Sequence, residues 1–253
     1  IAYYPAMKRW NDSVDGVLRA WAGRDLASEW PHPLAEALIG YMDEARVDVC
    51  FCLREPMMDI SGGSASMSTN GFMLQQIEPY PGRMFLEANC GPVIRRGLEH
   101  AIWELEYLVK ERGAKLCKMY QPEAAGPIND RRLWPFYAKA EELGVPLTVH
   151  TGNSYVVPQP GSHCEVRQLD DVMLAFPDLK VIAYHAGGPD TEALIGLCGK
   201  HVNLYMSLSG IIGWYQRAPY RGYHAIGTAM QWMPADKIVL GLVEERLKQP
   251  DCR

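Results

Sequence analysis

The sequence is short of several features that would announce a function. Its 253 residues carry 25 Lys and Arg against 30 Asp and Glu, a net charge of -5. The basic footprint expected of a nucleic-acid or anionic-membrane binder is therefore missing. No run approaches the ~20 apolar residues of a membrane span. The amino end, Ile1 to Arg9, lacks the pattern of a signal peptide. Neither GxGxxG nor GxxxxGK[ST] occurs, which argues against a nucleotide-binding doubly wound sheet. The seven cysteines include no CxxC pair, and Cys50, Cys52 and Cys117 lie in apolar runs where a thiol acts as a small hydrophobe. A chain of this length does not need disulfide staples, so a reducing cytoplasm is the expected setting. What remains is an ordinary globular balance, 48% hydrophobic and 22% charged, enough for one large core.

The feature that is present is a recurring unit: a short apolar run ending in a polar residue, a loop, then an amphipathic helix. The runs are Val47 to Leu53, Arg83 to Glu87, Ala114 to Tyr120, Val145 to His150, Leu179 to His185, Val202 to Ser207 and Lys237 to Gly241. Each is short and rich in aliphatic or aromatic residues, as strands buried on both faces should be. Helical spacing separates them. Leu34, Leu38, Tyr41 and Met42 precede the first run. Ile94, Leu98, Ile102, Leu105 and Val109 predict one helix closed near Gly113. Trp134, Tyr137, Ala140 and Leu143 predict another, closed by Gly144, and Leu169, Val172, Met173 and Phe176 a further one. Alternating strands and helices imply parallel pairing. Residues 1–253 read as one α/β domain, either a barrel of the (β/α)8 type with one strand not visible or an open sheet, and the missing nucleotide loop favours the barrel. Ser61 to Gly71 reads as a flexible polar loop or lid.

In a parallel barrel, chemistry sits at the carboxyl ends of the strands. His150 and His185 end consecutive runs, and both are followed by glycine within two residues. Imidazoles so placed suit a divalent metal or proton transfer near neutral pH. A histidine that merely caps its strand is the plain alternative, and the matched pair weighs against it. The glycines would let backbone approach a ligand closely. Glu87, Asn89, Tyr120, Ser207 and Ser209 also stand at strand ends. Lys118 could bind a substrate carboxylate, bridge a metal as a carbamate, or sit ion-paired in the barrel. Arg167, His163 and Glu165 occupy the loop after His150, where substrate contacts and plain solvation are both open readings. His32, His100 and His201 read as structural; His224 and Tyr223 sit in the aromatic-rich segment Trp214 to Trp232, which could wall a pocket or only cover the barrel's outer face.

From about Pro33 to Gly241 the chain resembles the amidohydrolase-related family, most specifically in GAKLCKMYQP, RLWPFYAKAEELGVPLTVHTG, LDDVMLAFPDLKVIAYHAGG and KIVLG. The resemblance implies a (β/α)8 TIM barrel with one divalent metal ion, zinc or manganese, and a small-molecule substrate. It implies that His150, ending the family's fifth strand, is a metal ligand, and that His185, ending the sixth, is a catalytic base beside the metal. The runs above then correspond to the second through eighth strands. Lys118 and Arg167 are the candidate holders of a substrate carboxylate. The implied reaction is hydrolysis of an ester, lactone or amide, with non-oxidative decarboxylation of an aromatic or unsaturated acid as the alternative. Thr151 and Gly152 after His150, where the family's decarboxylases often carry proline, tilt toward hydrolysis. Members are often homodimers, although nothing in this sequence marks an interface.

The departures are specific. The family's first strand ends in His-x-His, whereas Ile1 to Trp10 has no histidine. The eighth ends before an Asp ligand, whereas Val243 stands there, with Glu244 one position late. Two readings follow: a barrel that has lost its metal and serves as a binding scaffold, or a sequence from which segments are omitted. The second is preferred, because Leu242 to Pro250 reads as a helix arriving without a loop, and a barrel lacking its first strand would expose a long unpaired edge.

Overall fold

The computed structural model describes residues 35–54, 69–121, 126–153, 160–209 and 219–240. Seven parallel strands run through them in sequential order. They are β1 (Cys50–Leu53), β2 (Met84–Asn89), β3 (Leu116–Met119), β4 (Leu147–His150), β5 (Val181–Tyr184), β6 (Leu204–Ser207) and β7 (Ile238–Val239). Each overlaps one of the seven apolar runs, β2 continuing two residues past Glu87. The helices are α1 (Ala35–Ala45), α2 (Asn70–Ile77), α3 (Val93–Arg96), α4 (Leu98–Lys110), α5 (Trp134–Leu143), α6 (Gln168–Ala175), α7 (Thr191–Lys200) and α8 (Pro219–Trp232). Strand order without a reversal is the topology of a TIM barrel, here curled over seven strands. No helix among the described residues is long and apolar enough to cross a membrane.

The register shows why the strands read as continuous apolar runs with a few polar intruders. Asn89 pairs with Lys118, Lys118 with Thr148, and His150 with Tyr184. Because side chains alternate along a strand, these positions, with Glu87, share one face. The other face carries Leu86, Ala88, Cys117, Leu147, Val149, Val181, Ala183, Leu204 and Met206, all buried within the core cluster. One face is thus an apolar seat for the helices, and the other a buried polar lining.

Two details differ from the sequence expectation. The helix predicted across 94–109 is broken at Gly97, whose φ of 98° no side chain adopts readily, leaving α3 and α4. The polar segment ending at Gly71 is helical at its end: Thr69 Oγ1 accepts the Phe72 N–H at 3.0 Å and so caps α2. Gly144 closes α5 as expected, at φ 64°, with the Val145 N–H reaching back to the Ala140 carbonyl at 3.1 Å. Residues 1–34 and 241–253, where the family's remaining ligands would be sought, lie outside the described residues, as do His32 and Glu244.

Candidate active site

The carboxyl ends of β2 to β6 gather a polar cluster. Glu87, 1% exposed, accepts the Tyr184 hydroxyl at 2.8 Å and is also bonded by the Thr148 hydroxyl. Lys118, 2% exposed, places Nζ 3.8 Å from the centroid of the Tyr184 ring, a cation held against an aromatic face. A cation buried this deeply needs such neighbours, because desolvation alone would expel it. Above them the rings of His150 and His185 meet edge to face, 4.6 Å apart, and Tyr120 lies edge-on to His150 at 5.0 Å. The structure therefore brings together His150, His185 and Lys118.

His185 reaches its partner because the chain leaves β5 abruptly. Its φ is 63° and that of Ala186 is 47°, both in the left-handed region that non-glycine residues avoid. The contacts that hold this turn come from other segments of the chain. The His185 N–H donates to Ser209 Oγ at 3.1 Å, and the same hydroxyl lies 3.2 Å from His185 Nδ1. The Thr151 hydroxyl donates to the Tyr184 carbonyl at 2.5 Å, tying the loop after β4 to the end of β5. Gly152 has a role other than the expected approach to a ligand. At φ 83° it packs against the next loop, and a Cβ there would stand 2.2 Å from the Gly188 carbonyl oxygen.

The electrostatics favour neutral imidazoles. Burial, then His185 and Lys118, hold His150 well below the usual histidine range. Burial, then the Lys118 charge, push His185 down to about 3, against the opposing hydrogen bond with Ser209. Neutral imidazole is the form that binds a metal. With Nδ1 of His185 turned to Ser209 and Nε2 of His150 3.3 Å from the Asn153 carbonyl, each ring keeps one nitrogen for another partner. These donors suit part of a metal's coordination shell and do not complete it: no group of three His, Cys, Asp or Glu able to hold a metal occurs among the described residues.

The other sequence candidates lie elsewhere. Arg167 is exposed at the start of α6 and lines a separate cleft of about 490 Å³ with Asp190, Thr191, Tyr220, Arg221 and His224. Glu165 is exposed and His163 half-buried. His201 bonds Asp170 at 2.6 Å and His100 stacks on Trp103, in keeping with structural roles. Thr148 and Tyr184 were not singled out in the sequence. For Thr148 a signal existed, since it stands two residues before His150 and so shares its face.

The family model described as Amidohydrolase matches residues 74–242. The chain belongs to this family. No curated protein matches it. Among solved structures, an uncharacterised TIM-barrel protein, Bb4693 from Bordetella bronchiseptica, superposes with a TM-score of 0.64 at 19% identity, over 82% of this chain and 69% of its own. The 2,6-dihydroxybenzoate decarboxylase from Rhizobium gives 0.63 at 15% identity, over 92% and 83%. A probable 2-pyrone-4,6-dicarboxylic acid hydrolase from Acinetobacter baumannii, with citric acid bound, gives 0.61 at 17% identity, over 83% and 73%. At these identities the amidohydrolase likeness speaks for the fold and not for one reaction.

Proposed function

We propose that the protein is a metal-dependent enzyme that hydrolyses an ester, lactone or amide in a small carboxylate-bearing substrate. The observation that carries this reading is the edge-to-face pair of neutral histidines, 4.6 Å apart, beside a buried lysine at the carboxyl ends of parallel strands. Membership of the amidohydrolase family supports the metal, zinc or manganese, with His150 among its holders. When bound, such an ion supplies a Lewis acid for the carbonyl and acidifies water.

The chain's own residues supply the rest. Lys118 offers positive charge to an anionic substrate, and its position over Tyr184, itself tied to Glu87, keeps that charge in place. His185, held through Nδ1 by Ser209, moves a proton at Nε2. Arg167, in its separate cleft, is the second candidate for a substrate carboxylate. The tyrosines around the pair favour a second reading. Aromatic side chains suit an aromatic acid, and a decarboxylase is among the similar structures. His185 would then relay a proton from water to carbon as carbon dioxide leaves.

Two measurements test this. The purified protein should hold about one equivalent of zinc or manganese, and His150→Ala should release it. A protein that takes up no metal under any loading condition would be a scaffold and not an enzyme of this kind. Carbon dioxide release from hydroxybenzoate-type acids, without ester or lactone turnover, would establish the second reading over the first.

A further inference from the structure

A cleft of about 490 Å³ opens where three helices begin. Arg167 stands just before α6, Asp190 and Thr191 open α7, and Arg221 lies in the first turn of α8. These helices follow β4, β5 and β6, so their amino ends share the side of the sheet that carries the histidines. The polar groups here are unmatched within the fold. Among the described residues, Arg167, Arg221 and Asp190 form no ion pair, while Glu192 faces His224 at 3.3 Å. Thr191 lines the cleft and is only 9% exposed, yet its hydroxyl has no hydrogen-bond partner. Native folds rarely bury a hydroxyl in that state without a reason. Glu192 and Ala193 line the cleft as well. Their N–H groups and that of Thr191 precede the first bond of α7, from the Leu194 N–H to the Asp190 carbonyl at 3.2 Å. Asp190 stands at the capping position, but its side chain caps none of them.

We infer that this cleft binds an α-amino acid with an apolar side chain. The ligand's carboxylate accepts from the Thr191 hydroxyl and the free N–H groups of α7 and meets the guanidiniums of Arg167 and Arg221, and its ammonium faces Asp190. A helix start with unmet donors suits an anion. A plain anion, however, would lie against the Asp190 carboxylate at that same helix start. A ligand with an ammonium beside its carboxylate answers both signs. Ile195, Ala225 and Tyr220 give the cleft an apolar wall for the side chain, and its volume is that of an ordinary small-molecule site. The inference goes beyond the reaction proposed above and does not depend on it, since His150, His185 and Lys118 line no part of this cleft. The carboxylate that Arg167 meets is then this ligand's.

The test titrates the full chain by calorimetry with three probes: L-phenylalanine, phenylacetate, which lacks the ammonium, and phenethylamine, which lacks the carboxylate. Phenylalanine should bind about 10-fold or more tightly than either, the weight of one hydrogen bond to a charged group. Asp190→Asn should abolish the preference over phenylacetate, and Arg221→Gln should shrink the preference over phenethylamine. Thr191→Val keeps the shape and removes the hydroxyl. It should weaken phenylalanine about 10-fold and leave the melting temperature within about 1 °C, because that hydroxyl bonds nothing in the fold. Should the valine variant fail to fold, the variants at Asp190 and Arg221, both exposed, carry the test. A wild type that binds none of the probes overturns the site. Phenylalanine bound no more tightly than phenylacetate, or a preference that survives Asp190→Asn, overturns the amino-acid class. Wild-type affinity for phenylalanine in Arg221→Gln and Thr191→Val together overturns the cleft as its place. Lys118→Met should bind phenylalanine as the wild type does. Loss of binding there would put the ligand beside the histidines and overturn the assignment, without touching the reaction proposed for them.

Discussion

The Ser209 hydroxyl meets His185 twice, lying 3.1 Å from its backbone nitrogen and 3.2 Å from its ring Nδ1. One side chain from beyond β6 thereby sets both the left-handed turn that ends β5 and the orientation of the imidazole it delivers.

Ser209→Ala should remove both contacts at once. The loss of a buried hydrogen-bonding hydroxyl should cost about 1–3 kcal/mol of stability. Turnover per folded molecule should fall about 10-fold, because the ring loses its fixed direction. Thermal melting and kcat measured on the same preparation check this, and Ser209→Thr, which keeps the hydroxyl, should recover most of both. An unaltered kcat in the alanine variant would remove Ser209 from the positioning role.

His185→Asn should keep the fold and the metal and lower turnover by roughly 100-fold or more, the usual weight of a positioned acid–base group. A histidine that only caps its strand predicts the reverse: a lower melting temperature with activity per folded molecule unchanged. Metal content, melting temperature and kcat on one mutant separate the two.

Gly152→Ala places a methyl group 2.2 Å from the Gly188 carbonyl oxygen at a φ of 83°. The chain must shift the loop after β4 away from the loop after β5. The expected cost exceeds ~1 kcal/mol, from the left-handed backbone and the overlap together. Because these loops carry His150 and His185, KM and kcat should both worsen in steady-state assays. A variant as stable and active as the wild type would show that the two loops are not held together here.

Asp170 bridges α6 to the end of α7, accepting Lys200 Nζ at 2.7 Å and facing His201 at 2.6 Å. These partners, Lys200 first, hold its carboxyl below the ordinary 3.8. For a carboxyl depressed by folding, the stabilisation is present in full above the ordinary value and is lost as pH falls through the lowered one. Melting temperature against pH should therefore drop below pH ~4. Asp170→Asn should flatten that acid limb and leave activity alone. An identical acid limb in the variant would assign the loss to other carboxyls.

The strands were legible because a sheet covered on both faces demands short aliphatic runs, and Leu147, Val149, Val181 and Ala183 supply them on the helix-facing side. The helix break at Gly97 was not legible, because the periodicity of Ile94, Leu98 and Ile102 continues through it, and only a backbone angle distinguishes a glycine that bends the chain from one that does not.

By itself, the amino-acid sequence determined an alternating strand and helix order and marked two histidines and a lysine as strand-end intruders. Local preferences, apolar spacing and the two-residue alternation of a strand are short-range properties that a chain carries in its own order. Only the tertiary structure decided that Glu87, 61 residues from Thr148 and 97 from Tyr184, would bond both. It also decided that Lys118 would stand on an aromatic ring, and that Arg167 would line another cleft. Those outcomes depend on the register between strands and on the turn that swings His185 toward His150. Both are set by contacts between segments far apart in the chain, which no local pattern encodes.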